Sequence, residues 1–231
     1  MKYRKLLFVL FLIAGVIGNQ FAVPGVTMAQ NPPNFHTVLT ISDIISGAAV
    51  PGSVFTTDVS LEVTNNAEPA VSIMGIDTLI CYDSTVVTID DADDNPSNGT
   101  QVTVRNEFFG SSLIVAANQV ETVGGDECVH LAISHTGAPI TNRSGQIATI
   151  RWAVLPRSDP IPEEGIPAGI NIDQGPPMLA DSDGNEIPIN NVTIPNIIIG
   201  KAGAGVITGR VRRQGARSGH ANTEVIAYST G

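Results

Sequence analysis

The stretch Val54-Phe-Thr-Thr-Asp58-Val-Ser-Leu-Glu62-Val63 decides the fold. Phe55, Thr57, Val59, Leu61 and Val63 fall on one side of an extended chain, and Thr56, Asp58, Ser60 and Glu62 on the other. Successive strand side chains point to opposite faces, so this alternation predicts a half-buried β-strand. Similar runs recur over residues 37–45, 71–82, 85–89, 102–108, 112–117, 128–134, 146–155, 169–172 and 192–199. Turn chemistry separates them: Pro51-Gly52, Asp94-Asn-Pro96, Asn98-Gly99, Gly124-Gly125, Ser144-Gly145 and Asp183-Gly184. No window of helical length shows a 3.6-residue period. Many short strands without helices predict an all-β fold, a two-sheet antiparallel β-sandwich of jelly-roll type.

The run Gln146-Ile-Ala-Thr-Ile150-Arg-Trp152-Ala-Val154-Leu155 departs from simple alternation. Ile147 and Leu155 lie on one face, and Ile150, Trp152 and Val154 on the other. A strand apolar on both sides is expected at the centre of its sheet and covered on both faces. Trp152, the only tryptophan, is therefore expected in the core. Residues 156–177 carry six prolines (156, 160, 162, 167, 176 and 177) and predict a stiff acidic loop with one short strand at 170–172.

Charge divides the chain. Its formal balance is −10, but residues 30–200 hold 21 acids against four bases, Arg105, Arg143, Arg151 and Arg157, a balance of −17. Such a segment repels phosphate backbones and anionic bilayers, which argues against nucleic-acid partners. With 42% hydrophobic and 15% charged residues, the acidity rides on a folded body. Residues 1–29 have the three parts of an export signal. These are the basic start Lys2, Arg4 and Lys5, the apolar run 6–17, and the small-residue site at Thr27-Met28-Ala29. The apolar run falls short of the roughly 20 residues that span a bilayer, so cleavage and secretion without membrane insertion are expected. Residues 30–35 read as an extended leader, 36–200 as the sandwich, and 201–204 as a flexible linker.

Few residues offer site chemistry. Cys81 and Cys128 are the only cysteines, and in an exported chain they are either a disulfide or two buried thiols. His36, His130, His135 and His220 are scattered and lack metal-site spacing. The acids cluster in turns, at Asp90-Asp91-Ala-Asp93-Asp94-Asn95 and at Asp181, Asp183 and Asn185. Oxygen-rich loops of this kind are calcium candidates, with a solvated turn as the alternative; no other cofactor is implied. No nucleophile elbow, phosphate loop or dinucleotide fingerprint occurs, and turn-borne acids do not make a glycosidase pair, so no enzyme is expected. Asn98, Asn142 and Asn191 begin glycosylation sequons.

Three blocks, in order, resemble a cohesin domain, the jelly-roll module of cellulosome scaffolds. The first is Val50-Pro51-Gly52-Ser53-Val54 leading into the alternating strand. The second is Ile73-Met-Gly-Ile-Asp77-Thr-Leu-Ile-Cys81-Tyr82-Asp83-Ser84, then Val86-Val87, with Ser84 where the family has proline. The third is Gly145-Gln-Ile-Ala-Thr-Ile150-Arg-Trp-Ala-Val154, followed by Ala180-Asp181-Ser-Asp183-Gly-Asn185-Glu-Ile187. The resemblance covers about residues 36–200. It implies a non-catalytic module that holds a dockerin, a small calcium-loaded helical partner, on a face that includes the third strand. The family's Asn-x-Asp on that strand reads Gly75-Ile76-Asp77 here, so Asp77 alone carries over as a partner-binding acceptor. Residues 205–231 resemble the opening of a carboxypeptidase-regulatory-like (transthyretin-like) sandwich, through Gly205-Val-Ile-Thr-Gly209-Arg-Val211.

The expected role is thus a secreted dockerin-binding module in an extracellular assembly linked to polysaccharide degradation or the cell surface. The alternatives are a carbohydrate-binding module and a structural spacer or adhesin domain. Sugar-binding modules stack their ligands on exposed aromatic rings. Over residues 36–200, Phe55, Tyr82 and Trp152 are expected in the core, which leaves Phe108-Phe109 as the one pair available for stacking.

Overall fold

The structure is a computed structural model that describes residues 34–66, 70–95 and 97–200. The expected signal segment, linker 201–204 and segment 205–231 lie outside the described residues, as does the leader up to residue 33. Phe35 already belongs to the first strand. The strands are β1 (Phe35–Ile41), β2 (Ser46–Gly47), β3 (Val54–Asn65), β4 (Ile73–Tyr82), β5 (Val87–Ile89), β6 (Thr103–Val104), β7 (Leu113–Val123), β8 (Asp126–His135), β9 (Arg143–Val154), β10 (Ile166–Pro167), β11 (Met178–Asp181), β12 (Glu186–Pro188), β13 (Asn191–Thr193) and β14 (Ile198–Ile199). No helix occurs among the described residues.

Two sheets carry the fold. One runs β13-β1-β3-β9-β5, with β2 continuing the β1 edge of β3 and β6 continuing the β5 edge of β9. The other runs β12-β11-β4-β8-β7, and β10 and β14 form a separate short ribbon. Pairing is antiparallel throughout these sheets except between β1 and β13, which run parallel with Val38 opposite Asn191. The class is the expected all-β sandwich, with that one parallel edge as a refinement.

The deciding stretch folds as its alternation requires. Phe55, Thr57, Val59, Leu61 and Val63 are buried, while Thr56, Asp58 and Ser60 are half-buried and Glu62 is exposed. Facing them from the second sheet are Ile76, Ile80 and Tyr82 of β4, Val129, Leu131 and Ile133 of β8, and Leu179 of β11, in one core. Fully burying each such aliphatic or aromatic side chain contributes roughly 1.5–3 kcal/mol.

Strand β9 corrects the expectation of cover on both faces. It lies inside its sheet, between β3 and β5, but its register slips: Val59 faces Ala148 and Ser60 faces Gln146. Ile147 is the extra residue of a β-bulge, which shifts the parity of everything after it. Ile147, Ala148, Ile150, Trp152 and Val154 are therefore all buried, while on the other side Thr149 is buried under Arg105 and Asp58 and Arg151 is exposed. The double-sided apolar pattern records the bulge.

Other differences are local. The expected strand 192–199 is cut in two, because Pro195 cannot donate to a ladder. Strand β7 runs on to Val123, well past the apolar residues at 113–117, as a half-exposed edge. It turns into β8 through Gly124-Gly125, whose φ values of 63° and 105° supply the left-handed backbone a two-residue hairpin needs. The expected strand at 170–172 is a single bridge in which Asn171 exchanges both backbone hydrogen bonds with Cys81, at 2.9 Å each. That bridge, with the bond from Asp83 N–H to the Ala168 carbonyl, fastens the proline-rich segment to β4.

Candidate binding face

Strand β4 is the middle strand of the second sheet, and its odd-numbered residues from Gly75 to Cys81 point away from the core. Their cross-strand partners are fixed by register: Gly75 faces Ser134, Asp77 faces Ala132, Leu79 faces His130 and Cys81 faces Cys128. On the far side of β8, Ser134 faces Ile114, Ala132 faces Ala117, His130 faces Gln119 and Cys128 faces Glu121. On the other flank, Gly75 faces Ala180 and Asp77 faces Met178. The outer face is thus a field of small and apolar side chains around a few polar ones. At its β7 edge Ile114, opposite Ser134, is a large apolar residue left exposed.

Cys81 and Cys128 form a disulfide across this face, with Cα atoms 3.9 Å apart and both residues fully buried. The N–H and C=O of Cys81 both turn toward Asn171, so the pair facing Cys128 is a non-hydrogen-bonded one, where side chains approach most closely. The bond ties β4 to β8.

Asp77 stands on the middle strand with about a third of its side chain, 32%, exposed. Its Oδ1 lies 3.0 Å from His130 Nε2, and Nδ1 of the same ring lies 3.1 Å from Glu121 Oε1. Both carboxylates reach the imidazole diagonally, Asp77 from one side and Glu121 from the other, a distance long side chains span readily. The His130 side chain is only 8% exposed. The hydrogen bond from Asp77 raises the His130 pKa above its usual 6.5 against the opposing effect of burial, and the charges of Asp77 and Glu121 add to the rise. Gln119 donates to the second Glu121 oxygen at 3.3 Å. His130 and Glu121 were not singled out in the sequence.

Gly75, where the resemblance leads one to expect asparagine, has little room beside Asp77. A Cβ built there would lie 2.8 Å from the Ile133 carbonyl oxygen, closer than real Cβ atoms approach. The strands pass too near each other at this point for a side chain.

The remaining candidates lie elsewhere. Asp181, Asp183 and Asn185 form the β11–β12 turn. There Asp181 Oδ1 accepts the N–H groups of Asp183 and Asn185, and its Oδ2 accepts Asn185 Nδ2, all at 2.8 Å. These donors engage both carboxylate oxygens of Asp181. In the other acidic cluster Asp90 pairs with Arg151, Asp91 accepts Gln101 N–H, and Asp93 accepts Asn95 N–H and Asn98 Nδ2. The last two bonds hold the Asp93 carboxyl below the usual range. Among the described residues, no three His, Cys, Asp or Glu groups are arranged to hold a metal ion.

The aromatic reading changes as well. Phe108 and Phe109, expected as the exposed pair, are both fully buried and meet edge to face at 4.9 Å. Every aromatic residue among the described ones, Phe35, Phe55, Tyr82, Phe108, Phe109 and Trp152, is buried, so none offers a stacking platform. Of the sequon asparagines, Asn142 clamps the backbone of Asn65: it accepts the Asn65 N–H at 2.6 Å and donates Nδ2 to the Asn65 carbonyl at 3.1 Å. No described helix is long and apolar enough to cross a membrane.

No protein-family model matches the chain, and no curated protein matches it. Among solved structures it is similar to the type II cohesin A11 of Bacteroides cellulosolvens, at 16% identity and a TM-score of 0.49, covering 71% of this chain and 99% of that one. It is also similar to a structure of a type II cohesin–X–dockerin complex from Acetivibrio cellulolyticus, at 17% identity and a TM-score of 0.46, over 72% of this chain and 100% of that one. A third is the cohesin module of a Clostridium perfringens family 33 glycoside hydrolase, at 13% identity and a TM-score of 0.43, over 70% of this chain and 98% of that one.

Proposed function

We propose that this chain is a cohesin-like binding module, without catalytic activity, that holds a dockerin-type helical partner on the outer face of the β12-β11-β4-β8-β7 sheet. The observation that carries the reading is the position of Asp77. It stands on the middle strand of that sheet, partly exposed, among the small side chains of Gly75, Ala117, Ala132 and Ala180. Small residues leave a low surface that a helix can approach closely, and the exposed Ile114 supplies apolar contact at one edge. Burial of every described aromatic favours a protein partner over a stacked sugar.

The proposed setting is outside the cell, in an assembly linked to polysaccharide degradation or the cell surface. Support comes from the basic and apolar segments of residues 1–29 and from the disulfide, a bond that persists in oxidising compartments. The test is a pull-down of the purified chain against a panel of calcium-loaded dockerins, with insoluble cellulose and chitin in parallel. Capture of a dockerin that Asp77→Ala weakens supports the proposal. Retention on the polysaccharides alone replaces it with a carbohydrate-binding module, and failure in every arm with a structural spacer.

A further inference from the structure

Both ring nitrogens of His130 lie within hydrogen-bond distance of carboxylate oxygens, Nε2 of Asp77 Oδ1 at 3.0 Å and Nδ1 of Glu121 Oε1 at 3.1 Å. An ionised carboxylate only accepts, and a neutral imidazole has only one N–H to donate. The row Asp77–His130–Glu121 therefore needs one proton more than its three groups hold as two carboxylates and a neutral ring. With that proton the row carries a charge of −1 and both bonds are made. Without it the charge is −2, one contact sets a nitrogen lone pair against a carboxylate oxygen, and that carboxylate has no donor from the ring. Both acids have an outlet to the surface, since Asp77 is 32% exposed and Glu121 21%.

We infer that the Asp77–His130–Glu121 row is the cation-recognition element of this face, closed by its own proton and opened, when that proton leaves, to a lysine or arginine side chain of the partner. The inference rests on the reading of this face as the binding surface. The charged groups that act on the ring come from both flanking strands, Asp77 of β4 and Glu121 of β7. Beyond β4, β11 presents Met178 next to Asp77, which carries no charge. On β8 itself, Cys128 is locked in the disulfide, and of the other ionisable residues along the strand Asp126 accepts Gln174 Nε2, Glu127 accepts the Tyr82 hydroxyl and His135 lies against the Ala138 carbonyl. The body of the protein, 21 acids against four bases over residues 30–200, adds a field that draws cations to any open carboxylate.

The hydrogen bond to Asp77 and the two carboxylate charges raise the His130 pKa above its ordinary 6.5, so the row holds its proton more tightly than a free imidazole does. A partner cation that binds the open row competes with the proton, so each lowers the affinity of the other by the same factor.

The experiment follows the histidine ring nitrogens of the full chain by NMR from pH 6 to 9, with and without a lysine-bearing, alanine-rich helical peptide as the cation. His36 and His135 serve as references for the general negative field. His130 is expected to be doubly protonated at pH 7, and the peptide to lower its midpoint more than those of His36 and His135. A tenfold preference of the peptide for the open row lowers the midpoint by about one pH unit at saturation. In Glu121→Gln the midpoint should fall and its response to the peptide should shrink. A His130 ring that is neutral at pH 7, or a midpoint that moves no more than those of the reference histidines, overturns the inference. That outcome leaves dockerin capture untouched, just as failure of every dockerin removes the proposed function while the peptide titration still decides the row.

Discussion

The indole N–H of Trp152 is donated to Oγ1 of Thr57 at 3.0 Å, between two strands and with both side chains fully buried. Between Phe55 and Val63, Thr57 is the one polar residue on the apolar side of β3, and the bond accounts for it. An indole can be buried at little loss only when its N–H finds an acceptor. Thr57→Val keeps shape and volume but removes the oxygen, leaving a buried donor without its partner. The expected destabilisation is about 1–3 kcal/mol, read by chemical denaturation. A variant as stable as the wild type would show that the bond contributes nothing net.

The disulfide makes a second prediction. Cys81 and Cys128 are 47 residues apart in sequence, and linking them restricts the unfolded chain. In the loop-entropy account a closure of this length stabilises by roughly 4 kcal/mol, the upper end of the typical range. The double variant Cys81→Ala/Cys128→Ala should lose that amount in denaturation midpoint while keeping its all-β circular dichroism. Because both residues are buried, reduction of the native protein should be slow and should speed up with denaturant.

Gly75 gives the third. A methyl group there would meet the Ile133 carbonyl oxygen at 2.8 Å, against backbone that has a ladder on both sides. Gly75→Ala is expected to destabilise by about 1–3 kcal/mol, as overpacking does. Gly75→Asn, which restores the residue that the resemblance leads one to expect, should be no better folded and no better at binding. A Gly75→Asn chain of unchanged stability and higher dockerin affinity would contradict the steric reading.

These residues also mark how far the sequence could be read. The alternation of β3 was enough to place Phe55, Thr57, Val59, Leu61 and Val63 inside, because a single strand with one wet face obeys its own period. At β9 the same rule misled: the bulge at Ile147 is a property of two strands in register, and one strand's pattern does not contain it. The prolongation of β7 through polar residues was hidden because edge strands need little burial. The candidate site was legible only as Asp77. His130 looked solitary because its partners are 53 residues away on one side and lie across a hairpin on the other. One signal was present: if Cys81 pairs with Cys128 in an antiparallel register, Leu79 falls opposite His130 and Asp77 becomes the ring's diagonal neighbour. That step required the disulfide, which the sequence left open against two free thiols.

The last prediction concerns stability and pH. His130 binds its proton more tightly in the folded protein than in the unfolded chain, where its pKa is near the ordinary 6.5. A raised folded value means that the stabilisation is fully present below about pH 6.5 and is lost as pH rises through the folded pKa, where both states are deprotonated. Wild-type stability should therefore decline over that window relative to His130→Gln, whose amide does not titrate there. The difference between the two denaturation midpoints, measured from pH 6 to 9 at fixed ionic strength, should shrink as pH rises. Replacing Asp77, whose hydrogen bond is the largest cause of the rise, by asparagine should move the decline to lower pH; replacing Glu121 by glutamine should move it less. A pH-independent difference between wild type and His130→Gln would mean that the ring holds no extra proton in the folded state.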